Sequence, residues 1–407
     1  MKRLGLTGLI LASAGLCAAA LAQPPALRTT LRSSVPSGGW ARTPQIHPVT
    51  VEGGEHLGHF YGALRALRRD RDQRVRVLHY GDSNVAADLW TMITREALQR
   101  RFGDGGAGYF LPRGHGSWHR VDVHVRSEGS WESRRRGFGR DYGPADGLWG
   151  LAGVAVEPGA AGARVRVDVP AGPDDRRFEL HLLGRPRPRG RVAVRIDDGE
   201  WETIDLWHDE PTLILRRWPL DGAEHEVQVR HAGGIPRVLG MVVENDAGVV
   251  YDVLGINGHR ASAINHWDED LLRSQLSLRR PDLVVLSYGG NEALDPNLPM
   301  DAYERQTRAA VARIREAAPG ASCLMVGPVA SMPRYADRMG AVTEIQRRIA
   351  PDLGCAFWDA SRPAGGHGRL RRWLRFPGMV SGDHLHLGRQ GYELVGREFA
   401  ASLLRGL

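Results

Sequence analysis

Residues 75–84 read Val75-Arg76-Val77-Leu78-His79-Tyr80-Gly81-Asp82-Ser83-Asn84, a short run of β-forming residues stopped by a glycine and followed at once by an acid, a serine and an amide. The run is too short and too sharply bounded for a helix, so it predicts a strand. From Val85 to Phe102 the residues Leu89, Trp90, Ile93, Ala97 and Leu98 recur every three or four positions, and Gly103 can end the segment in a left-handed conformation. One helix is predicted there. The order strand, turn, helix puts Asp82 and Ser83 just beyond the carboxyl end of a strand. Upstream, Leu57, Phe60, Tyr61, Leu64 and Leu67 at helical spacing predict a helix that leads into the strand.

The same rhythm returns far downstream. Val249–Leu254, Leu283–Tyr288, Cys323–Val326 and Cys355–Trp358 read as strands separated by helical stretches, the pattern of a doubly wound α/β domain. Between the two parts the texture changes to short alternating segments without helices, among them 121–125, 164–169, 178–183, 192–196, 212–215, 227–229 and 238–243. Turns such as Asp197-Asp198-Gly199 and Asp221-Gly222 separate them, which predicts an antiparallel sandwich. One α/β strand precedes this region and four follow it, so the sandwich interrupts the α/β domain. The expected organisation is a first α/β part at 53–109, an inserted β-sandwich at 110–248 and a second α/β part at 249–407.

The N terminus reads differently. Lys2 and Arg3 precede an uncharged run from Leu4 to Ala19 that ends in Ala20-Leu21-Ala22, the layout of a secretory signal peptide over residues 1–22. The expected location is periplasmic or extracellular, without stable membrane insertion once the signal is cleaved. An uncleaved anchor is the alternative, and a lipid-modified Cys17 is disfavoured by Leu16 before it. Residues 23–52, with Pro24, Pro25, Pro36, Pro44 and Pro48, read as a flexible linker.

Composition sets limits. Hydrophobic residues at 42% and charged residues at 25% exclude a wholly disordered chain. The net charge of +7 is carried mostly by arginine, with no basic stripe interleaved with aromatics, so nucleic acid is not an expected partner. Anionic cell-wall polymers are compatible with that charge. Beyond Cys17 only Cys323 and Cys355 remain, too few for a disulfide scaffold or a close-spaced zinc site. Whether they pair or stay as two buried thiols is open.

Four strand ends carry residues suited to chemistry: Gly81-Asp82-Ser83-Asn84, Gly255-Ile256-Asn257-Gly258, Tyr288-Gly289-Gly290-Asn291-Glu292, and Ser381-Gly382-Asp383-His384-Leu385-His386-Leu387 before the last helix. A serine hydroxyl attacks an ester only when an imidazole takes its proton, and that imidazole works best when a carboxylate fixes its tautomer. Asp383 and His386, three residues apart, can supply both. The backbone amides of Ser83 and Gly258 and the side-chain amide of Asn291 are candidate donors to an oxyanion. Each has a plainer alternative. Ser83 alone reads as a helix cap, His384 competes with His386 as base, and Asp383, His384 and His386 could be metal ligands. His79 and Asp82 read as packing and turn residues, and the run from Arg369 to Arg375 as a solvated face. Of the tryptophans in or beside the insert, Trp118, Trp131, Trp149, Trp201, Trp207 and Trp218 could stack on sugars or simply fill a sandwich core.

These four blocks, in this order, resemble those of the GDSL/SGNH hydrolases, over roughly 74–109 and 249–405. The resemblance implies a three-layer, flavodoxin-like α/β fold with Ser83 as nucleophile, His386 as base and Asp383 as its orienting acid. Ser83, Gly258 and Asn291 become the oxyanion partners, and neither metal nor organic cofactor is required. Asn291-Glu292 and Ser83-Asn84 depart from the commoner Asn-Asp and Ser-Leu pairs. The Ser-Asn block, the helix with Ala and Trp after it and the β-domain before the second block are closer to the peptidoglycan O-acetylesterase branch. The expected activity is removal of short acyl groups, acetyl above all, from a carbohydrate or cell-wall polymer. An O-acyltransferase using the same triad and a non-catalytic glycan-binding protein are the alternatives.

Overall fold

The computed structural model describes residues 44–112, 124–136, 141–142, 145–329 and 333–407. The expected signal peptide, most of the expected linker, Cys17 and Trp118 lie outside the described residues. Helix α1 (Gly58–Asp70) leads into strand β1 (Arg74–Gly81), followed by the short helix α2 (Ser83–Ala86) and by α3 (Trp90–Phe102). The strands after these are β2 (Gly108–Phe110), β3 (His124–Glu128), β4 (Trp131–Arg136), β5 (Asp141–Tyr142), β6 (Val154–Pro158) and β7 (Arg164–Val169). They continue as β8 (Arg176–Gly184), β9 (Gly190–Ile196), β10 (Glu202–Asp205), β11 (Thr212–Leu220), β12 (His225–Gly234) and β13 (Arg237–Asn245). The last part comprises β14 (Gly248–Gly255), α4 (Glu269–Arg279), β15 (Leu283–Ser287), α5 (Gly290–Ala293) and α6 (Met300–Ala317). It ends with β16 (Ser322–Val326), α7 (Ala336–Ile349), β17 (Ala356–Trp358), α8 (His367–Leu370) and α9 (Arg389–Arg405).

Five strands pair in parallel in the order β14-β1-β15-β16-β17. Counted along the chain this is 2-1-3-4-5, the flavodoxin-like order, whose crevice opens where the winding reverses beside the first strand. Gly81 pairs with Gly255 on one side and Ser287 on the other, so the three strand ends lie level. Apolar side chains cover both faces of the sheet: Leu78, Tyr80, Val284 and Met325 on one, Val77, Val285, Leu324 and Trp358 on the other. Burial on both faces is why these strands read as continuous apolar runs. Cys323 and Cys355 form a disulfide that ties β16 to the entry of β17.

The strands of the insert form two antiparallel sheets, β10-β9-β12-β7-β3 and β11-β8-β13-β6-β4-β5, with β2 added beside β13. Val165, Val167, Val192, Val194, Val227 and Val229 of the first sheet meet Phe178, Leu180, Leu182 and Met241 of the second in one core. The other face of the second sheet carries Tyr109, Leu183, Leu239 and Val242, which pack with Trp267, Leu271 and Leu272 of the α/β part. Every residue of β13 is therefore buried. A buried charge cluster reinforces this junction. Glu244 accepts from Arg76 and Arg177 and pairs with Arg279, which also grips Asp252.

Two local expectations change. The single helix predicted from Val85 to Phe102 is broken between α2 and α3, because Asp88 adopts a left-handed conformation with φ of 48°. Its buried carboxylate repays the strain by accepting from Thr91 and from both terminal nitrogens of Arg95, at 2.7, 2.9 and 3.0 Å. Residues 44–52, expected to belong to the linker, do lack helix and strand but are fastened to the domain. Glu52 exchanges two backbone hydrogen bonds with Phe357 on the edge strand β17, the His47 amide donates to the Pro363 carbonyl, and Val49 is buried. An edge strand offers the unpaired backbone groups that make such capture favourable.

Candidate active site

The turn between β1 and α2 is built for close approach. A Cβ at Gly81 would lie 2.4 Å from a Val85 methyl, and one at Gly255 would lie 2.2 Å from the Ala86 nitrogen, so only glycines let α2 sit down on both strand ends. Asp82 caps α2, its carboxylate accepting from the backbone and side-chain nitrogens of Asn84, both at 2.9 Å. Burial raises the Asp82 pKa, and those two bonds offset part of the rise. Ser83 is thereby fixed as the first residue of the helical turn, its hydroxyl turned to His386.

The segment 380–387 forms a tight turn held by mutual backbone bonds between Ser381, His384 and His386. One Asp383 oxygen accepts from the amides of Leu385 and His386 at 2.9 and 3.0 Å, and the other meets His386 Nδ1 at 2.6 Å. Burial pushes the Asp383 carboxyl up, but the His386 ring and the two amides outweigh it and hold the group well below the usual carboxylate range. An ionised carboxylate only accepts, so Nδ1 carries the proton and Nε2 is left to accept from the Ser83 hydroxyl, 2.7 Å away. His384, the competing histidine, is exposed at a left-handed position with φ of 56°.

The other two strand ends meet through His259. The Asn291 side-chain amide donates to the His259 carbonyl at 2.8 Å, which fastens the turn after β15 to the loop that carries Gly258. Glu292 clamps the same two loops by accepting from the amides of Ala261 and Gly289, at 2.9 and 3.1 Å. Its burial, with the Asp82 charge nearby, raises its pKa to about 7 despite the Ala261 bond and the Arg260 charge. His259 Nε2 donates to the Arg136 carbonyl at the end of β4, 2.8 Å away, so this loop also touches the insert. Burial drives the His259 pKa down to about 3 and keeps the ring neutral.

Several supporting residues escaped the sequence reading. The buried Tyr392 hydroxyl donates to Asn84 at 2.6 Å and so joins the serine turn to α9, directly after the histidine segment. The Trp90 indole donates to the Asn84 carbonyl at 2.9 Å. Asn84, noted only as a departure from a family pattern, is thus the pin between the two halves of the relay. No sequence signal announces a bond across 308 residues. His79 packs as expected, buried between Tyr251 and Ser287. Among the tryptophans, Trp131 and Trp149 are core residues, Trp201 lies under Arg195 and Arg230, and Trp218 donates to Glu202. Trp207 is 47% exposed, with the Arg189 guanidinium over its ring. The arginines between 369 and 375 are exposed while Leu370 and Trp373 point inward.

Comparison with known proteins agrees with this architecture. Residues 221–394, somewhat under half of the chain, match the GDSL-like Lipase/Acylhydrolase family. The match begins within the insert and does not include Ser83. A solved structure titled "Peptidoglycan O-acetylesterase in action, 5 min" superposes with a TM-score of 0.72 at 23% identity, covering 87% of this chain and 97% of the other. That likeness shows a shared fold, insert included. A family two carbohydrate esterase from Cellvibrio japonicus aligns over 70% of this chain and 98% of its own at 12% identity, with a TM-score of 0.30. No curated protein matches. Residues 221–394 therefore resemble a GDSL-like lipase/acylhydrolase domain, and the chain shares the fold of that esterase structure.

Proposed function

We propose that this protein is an exported serine esterase that removes short acyl groups, acetyl above all, from a carbohydrate or cell-wall polymer. The observation that carries the reading is the continuous relay from Ser83 Oγ through the two ring nitrogens of His386 to Asp383, with contacts of 2.7 and 2.6 Å. Ser83 attacks the ester carbonyl as its proton passes to His386 Nε2, and the imidazolium formed is stabilised by Asp383. The tetrahedral oxyanion is received by the amides of Ser83 and Gly258 and by Asn291 Nδ2. That nitrogen has two hydrogens: one is held by the His259 carbonyl, which orients the group and leaves the second for the oxyanion. His386 then returns the proton to the leaving alcohol, and water repeats the cycle on the acyl-enzyme.

A preference for acetyl follows from the surroundings. The loops at the relay are polar or glycine-rich, at 255–260, 289–292 and 382–384, so a long acyl chain would bury little apolar surface at about 25 cal/mol per Å². Export rests on Lys2-Arg3 and the uncharged run after them; among the described residues no helix is long and apolar enough to cross a membrane. The insert, expected at 110–248, is assigned the docking of polymer. The test is turnover of a chromogenic acetyl ester by wild type and Ser83→Ala in parallel. Release of acetate without an added acceptor, lost in the variant, is expected; turnover that survives the substitution would refute the reading.

A further inference from the structure

A cavity of about 500 Å³ has Gly258, one of the proposed oxyanion donors, in its wall. One side is the insert, through Arg136 at the end of β4; the other is the catalytic part, through Arg260, Ser262, Asn265 and Asp295. Its volume falls within the range of about 300–1,000 Å³ typical of small-ligand sites. The wall combines donors and acceptors. Arg260 and Asp295 form an ion pair at 2.9 Å, and the Asn265 amide is oriented by the Gln306 carbonyl at 3.0 Å. Ala263 and Leu298 are the apolar contributors; among the described residues no Phe, Tyr or Trp lines it, and its rings are the imidazoles of His259 and His266.

Such a wall does not suit an acyl chain, which needs contiguous apolar surface. Asp295 pairs with Arg260 inside the cavity and Arg136 adds a second guanidinium, so the wall offers donors and an acceptor together. Alternating fixed donors and acceptors match a ligand that is itself dense in hydroxyls. We propose that this cavity binds the alcohol side of the ester, a stretch of pyranose units adjoining the acylated sugar, and that the insert takes part in that binding through Arg136. The inference rests on the esterase reading above and adds which side of the substrate lies where. An acyl group enters at Gly258 and Ser83, and the glycan runs from there along the seam between insert and catalytic part. Recognition is by hydrogen bonds.

The test uses the full chain, two variants and two kinds of ester. Ser262→Trp fills the cavity from a partly exposed position and is expected to lower kcat/KM for an O-acetylated oligosaccharide by about tenfold or more, mostly through KM. The loss on 4-nitrophenyl acetate is expected to stay under about threefold. Arg136→Ala, on the opposite wall, is expected to shift the two esters apart in the same direction, and decides the matter alone if Ser262→Trp does not fold. Fragments of acetylated xylan and of O-acetylated peptidoglycan form separate arms, and the arm that responds identifies the glycan. Equal losses on aryl and glycan esters would overturn the subsite while leaving the esterase standing. Failure of wild type to hydrolyse 4-nitrophenyl acetate through Ser83 would instead strike the esterase reading itself.

Discussion

Replacing Asp383 by Asn tests the relay at its least obvious member, and the outcome can be worked from three hydrogen bonds. In the native turn Asp383 accepts from the Leu385 amide, the His386 amide and His386 Nδ1. The oxygen of an asparagine can keep both backbone bonds, so the turn should hold its shape. Its NH2 group, however, must then face Nδ1. A donor there forces the imidazole proton to Nε2, which points a hydrogen at Ser83 Oγ across the 2.7 Å contact where a lone pair is needed. The serine proton then has no acceptor, and the imidazolium loses its counter-charge. Losses of about 10³–10⁴ in kcat accompany a wrong tautomer in a triad, equivalent to roughly 4–5.5 kcal/mol of transition-state stabilisation. KM should change little, because the acid touches no substrate. The assay is steady-state hydrolysis of a chromogenic acetyl ester, with thermal unfolding as a check on the fold. A loss below about tenfold in a folded variant would refute the tautomer argument.

Three further outcomes follow from neighbouring features. Tyr392→Phe removes the donor to Asn84 Oδ1 and leaves that buried oxygen short of a partner, which costs about 1–3 kcal/mol; unfolding midpoints should fall, with kcat reduced more than KM is changed. Glu292 ionises at about 7 when folded but near 4.5 when unfolded, so the folded state holds its proton longer. Its contribution is intact below pH 4.5 and is lost as pH rises toward 7, by roughly 3 kcal/mol; the difference in denaturant midpoint between wild type and Glu292→Gln should change across that window and be flat above it. Glu244→Gln removes the carboxylate shared by Arg76, Arg177 and Arg279. Asp252 and Glu179 still serve two of these arginines, so the destabilisation should sit near about 3 kcal/mol, the lower end for a broken buried pair, and a midpoint unchanged by the substitution would contradict this role.

The strands of the parallel sheet were legible because burial on both faces leaves uninterrupted apolar runs such as Val249–Leu254. The alternation that announced the insert was legible because one face of the β10-β9-β12-β7-β3 sheet meets solvent. The fold class and the family resemblance could thus be read from the residues, as could the pairing of serine with a downstream Asp-x-x-His turn that the structure now brings together. What escaped was long-range. The order β14-β1-β15-β16-β17 depends on which strands pair, and no local pattern encodes that. The break at Asp88 is set by Arg95 and Thr91, and the regular spacing of Leu89, Trp90 and Ile93 masked it. Whether Cys323 and Cys355 pair depended on the neighbouring positions of β16 and β17. The links from Arg136 to His259 and from His259 to Asn291 join three separate parts of the chain, and each residue taken alone is unremarkable in sequence.

The central claim is that Ser83 is the activated nucleophile, and covalent labelling tests it most directly. Wild-type protein treated with a fluorophosphonate and digested for peptide mapping should carry one label, on the peptide containing Ser83, with activity lost in proportion to labelling. The variants Ser83→Ala and His386→Ala should take up none, the first for want of the oxygen and the second for want of the base. Labelling at another serine, or full hydrolytic activity in protein that resists the reagent, would contradict the account.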